Sequence, residues 1–439
     1  MRLFIIFCIL FFNSSLNLCW GYSFKQKDCR ELSLLIEKSL ATRYKEDVEK
    51  INQAFSHIQR NIPALEDLIE LKYQLQQWRK GLGLIKLQEP MRKLKMIPIK
   101  PSKWPFKKWA QISEFSEYDF KDEGVMFRGV FLKPGDMLLA NLHTPGDSVY
   151  TVASDPRGYY SHYALFAILE ENGKRFPSAI EIHEHGVRAV PLSIFLSRQF
   201  TTYTEVFRFH SVPKGWEPKI NEESYKLIHE TNAYDFYNLE ESDRYLSCAG
   251  VGSCVYKRIG VEPISTKSGY SQHVFLNLNV LGLSMKSLLT PTDYMVDSRV
   301  KYVGVFDNDY FLENVTSEII TRKVRRLFYT MVIEPNQFPW LFKFNRWGIT
   351  QIKNGTWLGS LFLWFEGFSR GNFPHGPTDA MALVEIVESE TQKAVDKSKP
   401  EIALEIPKGL FSIHDLEENP KVQAIADKNI TPIQAWFRN

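Results

Sequence analysis

The stretch Tyr245–Gly260, YLSCAGVGSCVYKRIG, decides how the rest of the chain is read. Val251, Val255 and Ile259 follow Cys248 at i+3, i+7 and i+11, which places all four on one face of a helix. Ser247 has the side chain of an N-cap, and Gly260, after Lys257 and Arg258, is suited to stop the helix. A cysteine in the first helical turn meets unpaired N–H groups and the positive end of the helix dipole. Both favour thiolate over thiol. The same position also suits a small buried cysteine that serves packing alone. Cys254 falls about 240° round the helix from Cys248, away from that face.

Upstream, residues 125 to about 210 read as short β-rich runs: Val125–Leu132, Asp136–Asn141, Ser148–Ala153, Ser161–Leu169 and Ala179–His183. Turn signals such as Pro134-Gly135 and Asn172-Gly173 separate them. Consecutive strands without intervening helices predict an antiparallel sheet or small barrel, hence an α+β fold. Helical segments are expected at about 191–198 and 221–232.

A cysteine nucleophile needs a base within hydrogen-bond reach and a polar group that orients the base. His162 stands in SHYALFAIL, an otherwise apolar strand where a polar side chain is either paired or used. In the next strand, AIEIHEHGV, Ile180 and Ile182 face one way while Glu181, His183 and His185 face the other. Glu181 is placed to hold His162 in one tautomer, with His183 as the alternative on the same face. His183, His185 and His210 also admit a metal-cluster reading. No cysteine or carboxylate at zinc-site spacing joins them, so neither a metal nor a cofactor is expected.

The ordered set resembles the permuted papain-like cysteine hydrolases of the NlpC superfamily, the YiiX/YaeF-like branch. The residues that carry the resemblance are Pro134-Gly135-Asp136-Met137-Leu138-Leu139, then Ser161-His162, then Ile180-Glu181 with Gly186-Val187-Arg188, Pro191-Leu192 and Phe195. Tyr234-Asp235-Phe236, Cys248-Ala249, Val255-Tyr256 with Gly260, and Thr290-Pro291-Thr292-Asp293 follow in the family's order. The likeness covers roughly residues 125–305. Gly250 departs from the family, which often has an acidic residue two positions after the cysteine. The resemblance implies an antiparallel sheet or small barrel packed on the helix of the nucleophile, with helical additions at both ends. It also implies Cys248 as nucleophile, His162 as base and Glu181 as orienter, in acyl transfer to water. Asp136, Tyr234 and Asp235 are implied as substrate or fold motif residues. Peptide amides and the amide or ester bonds of lipids are the substrates it suggests.

The remaining chain bounds this reading. At 439 residues it exceeds one ordinary core. A formal net charge of +3, with no zinc-finger or RNA-binding signature, argues against nucleic acid. Residues 1–21 read as a secretory signal peptide, with Arg2 before the apolar run Leu3–Phe12 and Gly21 at the cleavage point. Export to a periplasmic or secreted location is therefore expected. Lipid attachment through Cys19 is disfavoured by Leu18. The mature chain keeps Cys29, Cys248 and Cys254, an odd number; a Cys29–Cys254 bond with Cys248 free is allowed.

Residues 22–90 read as a helical region, in which Tyr44, Val48, Ile51, Phe55, Ile58 and Ile62 make an apolar stripe. It suits a partner-binding coiled coil or a pair packed on the main domain. Residues 91–124 form a basic, proline-rich connector, and 306–439 a mainly helical region with a mixed tail. Within the latter, WLGSLFLWFEGF (357–368) is too short to span a bilayer. It reads first as core, and second as a peripheral membrane or partner contact.

Overall fold

In the computed structural model the described residues are 118–438, apart from 128, 143–159, 172, 184–185, 197–200, 211, 236–241, 263, 265–271, 284–288, 308–310, 367 and 406–418. The signal segment, the 22–90 helical region, the basic connector up to residue 117, Cys29 and the expected strand Ser148–Ala153 lie outside them.

The described residues open with three short strands, β1 (Asp119–Lys121), β2 (Gly124–Phe127) and β3 (Val130–Leu132). The predicted run Val125–Leu132 is thus two strands, because Gly129, at φ 82°, turns the chain back. Then come β4 (Met137–Leu142), β5 (His162–Glu171), β6 (Lys174–His183), β7 (Gly186–Pro191), α1 (Leu192–Leu196), β8 (Thr201–Phe209) and α2 (Trp216–His229). Two-residue strands β9 (Ala233–Tyr234) and β10 (Tyr245–Leu246) lead into α3 (Cys248–Arg258), the helix of the opening stretch. α4 (Gln272–Val280), α5 (Pro291–Val296) and β11 (Val300–Asp307) complete the sheet region. The rest is mainly helical: α6 (Phe311–Thr330), β12 (Val332–Ile333), α7 (Trp340–Lys353), α8 (Trp357–Glu366), α9 (Thr378–Glu405), α10 (Pro420–Gln434) and β13 (Phe437–Arg438).

Among the described residues the main sheet has six strands in the order β11-β8-β4-β5-β6-β7, every neighbouring pair antiparallel. The molecule is therefore α+β with an antiparallel sheet, as the turn-punctuated strands predict. β7 and β8 go beyond the expected strands, and the helix expected at 191–198 starts at Leu192, as α1, because Pro191 still belongs to β7; residues 197–198 lie outside the described ones.

Strand alternation divides the sheet into two buried faces. On one face Leu138, Ala164, Phe166, Ala179 and Val206 pack with the β1–β3 sheet and with Leu192 and Phe195 of α1. On the other face lie Tyr163, covered from α5, and Phe207, which meets Tyr160 and, from β11, Tyr302. The Trp216 ring stacks on Tyr256 at 6.1 Å, and Tyr163 meets Tyr294 at 4.5 Å.

Asp136 binds the start of β4 to β8. Its fully buried carboxylate accepts Arg208 Nε at 2.5 Å and a second guanidinium N–H at 2.7 Å, and also accepts the Lys133 backbone N–H at 2.8 Å. Burial pushes this carboxyl up in pKa, against the pull of Arg208. Asp136 is thereby a fold residue. Removing the cation should leave a buried, uncompensated carboxylate. Arg208→Met is expected to lower stability by about 3–5 kcal/mol, read from the urea midpoint at constant m-value.

The stretch 357–368 departs from its core reading. Its helix α8 leaves Trp357, Trp364 and Phe365 at 74%, 72% and 68% exposure. Uniformly apolar periodicity could not reveal that one side of this helix faces outward.

Candidate functional site

Helix α3 begins where its sequence predicts. Ser247 has extended backbone, and its hydroxyl accepts the Gly250 N–H at 3.1 Å. Gly260, at φ 81°, takes the left-handed turn that ends it. The single-face expectation is too narrow. Cys248, Val251 and Val255 are buried, but so are Cys254 and Tyr256, because the sheet covers one side of the helix and other segments cover the rest.

Two contacts fix how α3 lies on the sheet. A side chain added at Gly252 would overlap the Tyr163 ring and hydroxyl, so glycine alone allows this approach. One turn on, the Tyr256 hydroxyl donates to Gly135 O at 2.8 Å, and Gly135 N–H in turn donates to Phe166 O at 2.8 Å. The helix therefore travels along β5 from Tyr163 toward Phe166 as it proceeds from residue 252 to 256. Extended back one turn, its N-terminus with Cys248 lies toward the beginning of β5, where His162 stands. Cys248, Gly252 and Tyr256 share one side of the helix, so Cys248 is on the side turned to the sheet. The Tyr294 hydroxyl donates to Ala249 O at 2.6 Å and holds the first turn from α5. α5 is itself set by a capping box between Thr290 and Asp293 within the Thr290-Pro291-Thr292-Asp293 motif.

His162 and Glu181 meet as their strands predict. Nε2 of His162 lies 2.8 Å from Glu181 Oε2, with both side chains buried. Arg188, across from Glu181 in the β6–β7 register, donates Nε to the other carboxylate oxygen at 2.8 Å. With Arg188 beside it the carboxylate stays an acceptor, so the imidazole carries its proton on Nε2 and presents Nδ1 as the basic nitrogen. Arg188 as the partner of Glu181 is what sequence reading missed. Its signal was available, in the Gly186-Val187-Arg188 motif on the strand that pairs with Glu181.

One feature of the geometry runs against a simple triad. Tyr163 points to the α3 face, so alternation turns His162 to the opposite face, where its ring lies 6.1 Å from Phe195. An approach between Cys248 and His162 has to pass round the beginning of β5.

His183 ends β6, while His210 follows the antiparallel-related β8 and donates Nε2–H to Ser298 O at 3.2 Å. They lie at opposite ends of the sheet, and His185 is outside the described residues. Tyr234 and Asp235 are buried beside the helix start. The Tyr234 carbonyl accepts the His375 N–H at 2.7 Å, Asp235 forms a parallel bridge with His375, and the His375 ring meets Tyr245 at 4.4 Å. The loop between α8 and α9 thus reaches the segment that precedes Cys248, which no local pattern around residue 375 announces.

Burial raises the hydroxyls of Tyr163, Tyr256 and Tyr294 well above the ordinary tyrosine range, so they act as neutral donors. Burial likewise pushes the free Cys254 thiol up to about 12. That leaves Cys248 as the better candidate thiol of the two.

No protein-family model, curated protein or solved structure matches this chain. The close approach at Gly252 has a direct test. Gly252→Ala should force Tyr163 and α3 apart and lower stability by about 1–3 kcal/mol in denaturant titration. An unchanged midpoint would show that the helix does not lie on Tyr163.

Proposed function

We propose that this chain is an exported cysteine hydrolase with a permuted papain-like core, acting on an amide or ester acyl group. The observation that carries the reading is the buried His162–Glu181 hydrogen bond at the end of the sheet to which the Cys248 helix points its N-terminus. In this reaction Cys248 Sγ attacks the acyl carbon while His162 takes the thiol proton at Nδ1. The tetrahedral intermediate collapses to a thioester as the imidazolium returns the proton to the leaving group. Water, deprotonated by the same nitrogen, then releases the acid and regenerates the thiol. Glu181 fixes the tautomer and stabilises the imidazolium. N–H groups of the first turn of α3 are the natural donors to the oxyanion, each worth about 3 kcal/mol in the transition state.

A second reading has specific support. The opposite facing of His162 and Tyr163, together with the burial of Cys248, favours a binding or effector protein that keeps this scaffold without turnover.

Iodoacetamide labelling separates the two. The hydrolase reading expects Cys248 of the full chain to label at pH 7, and His162→Ala to slow labelling about tenfold or more. A labelling rate that rises only near a free-thiol pKa of about 8.5, unchanged in His162→Ala, overturns it and leaves the second reading. Cys254 serves as the internal control, since a thiol at about 12 stays unreactive at either pH.

A further inference from the structure

Helices α7 and α8 form an antiparallel hairpin whose outward side is aromatic. Its packing is close, because Gly359 lies against the Gln351 backbone and Phe362 meets Trp347 at 5.6 Å and Phe344 at 6.3 Å. Each helix then presents an exposed stripe at helical spacing. Trp340, Phe344 and Trp347 stand at i, i+4 and i+7 on α7, and Trp357, Leu361, Trp364 and Phe365 at i, i+4, i+7 and i+8 on α8. Trp340 and Trp357 are each 74% exposed, far more than a core or a lone surface ring requires.

The identity of the occupant follows from residue type and charge. Tryptophan and phenylalanine supply an apolar body that prefers the boundary between water and hydrocarbon, whereas a protein core or coiled-coil seam is filled mainly by aliphatic residues. Between Trp340 and Glu366 the only ionisable side chains are Lys343, Arg346, Lys353 and Glu366. Lys343 is exposed on the same helical side as Trp340, Phe344 and Trp347, and α8 carries no charge before Glu366. Arg346 is exposed too, although Asp379 pairs with it at 2.6 Å. Aromatic rings with a cation among them complement an anionic bilayer surface. No helix among the described residues is long and apolar enough to cross a membrane, so the contact is one that lies on the surface.

We propose that the α7–α8 hairpin docks this protein onto anionic lipid bilayers through its exposed tryptophan and phenylalanine stripe. The surface is built without any residue of the Cys248–His162 region, so it stands whether or not the chain is a hydrolase.

The test is flotation of the full chain with vesicles of phosphatidylcholine containing phosphatidylglycerol, beside pure phosphatidylcholine vesicles. Wild type should float with the anionic vesicles and show a blue-shifted tryptophan emission. The Trp364→Ser/Phe365→Ser variant should lose about tenfold or more in partitioning, since two exposed rings leave the interface. Lys343→Glu should weaken binding to anionic vesicles only. All these side chains are exposed, and an unchanged thermal transition confirms folding of each variant. Failure of the wild type to float with the anionic vesicles, or equal flotation of wild type and the Trp364/Phe365 variant, overturns the proposal. So does a lipid-independent dimer in sedimentation that the same substitutions dissolve, which would assign the stripe to a second copy of the chain.

Discussion

The structure depends on how closely helix α3 can approach the sheet. Gly252 permits that approach because the Tyr163 ring occupies the space where a side chain would stand. Everything that positions Cys248 follows from it. Tyr256 can reach the Gly135 carbonyl only with the helix this close, and Tyr294 fills the wedge between the Tyr163 ring and the Ala249 carbonyl. Three buried hydroxyls near one helix are a cost unless each has an acceptor, and Tyr256 and Tyr294 meet it by donating to the Gly135 and Ala249 carbonyls. The polar work of this face is therefore structural, and Gly252 constrains it through its close contact with Tyr163.

The opposite face holds the other half of the candidate chemistry, and its electrostatics are unusual for a catalytic pair. Glu181 is shared between Arg188 and His162. A carboxylate already compensated by a guanidinium stabilises a second cation less than a lone carboxylate does, so orienting the imidazole is the larger part of its role and stabilising the imidazolium the smaller. An oriented imidazole is what a general base needs before attack. It is also a self-sufficient buried network that would be retained for packing alone, since loss of any member strands a charge. The same three residues thus serve either reading of the protein, and only the relation of Nδ1 to the sulfur distinguishes them.

Much of this was legible in the sequence because it rests on local rules. The Ser247 cap, the Gly260 stop and the hairpin turn at Gly173 are short-range events, and each falls where residue type puts it. The shared face of His162 and Glu181 also follows from strand period alone, once β5 and β6 pair. What was not legible depends on the third dimension. Alternation within SHYALFAIL is uninformative about which side α3 covers, because both faces of the sheet are buried and both carry apolar residues. The contact of His375 with the segment before Cys248 joins residues more than a hundred positions apart, and neither partner's sequence encodes the other. Asp136 shows a third limit: a carboxylate in a recurring motif reads equally as ligand or as strut until Arg208 is seen across the sheet.

The aromatic hairpin illustrates the same limit from the opposite side. A run such as WLGSLFLWF has no polar residue to mark an exterior face, so its composition points inward. What turns it outward is stoichiometry of packing. A two-helix hairpin lying on a larger helical body has only one side to bury, and here Phe342, Ile349, Gly359 and Leu363 occupy it. The remaining rings then have no protein surface left among the described residues, and exposing them to water costs on the order of 25 cal/mol for each Å² of apolar area. Helices of ordinary surface composition would avoid that cost with polar residues at the outward positions, as α9 and α10 do nearby. The α7–α8 hairpin keeps tryptophan there instead, a cost that the proposed bilayer contact would offset by removing those rings from water.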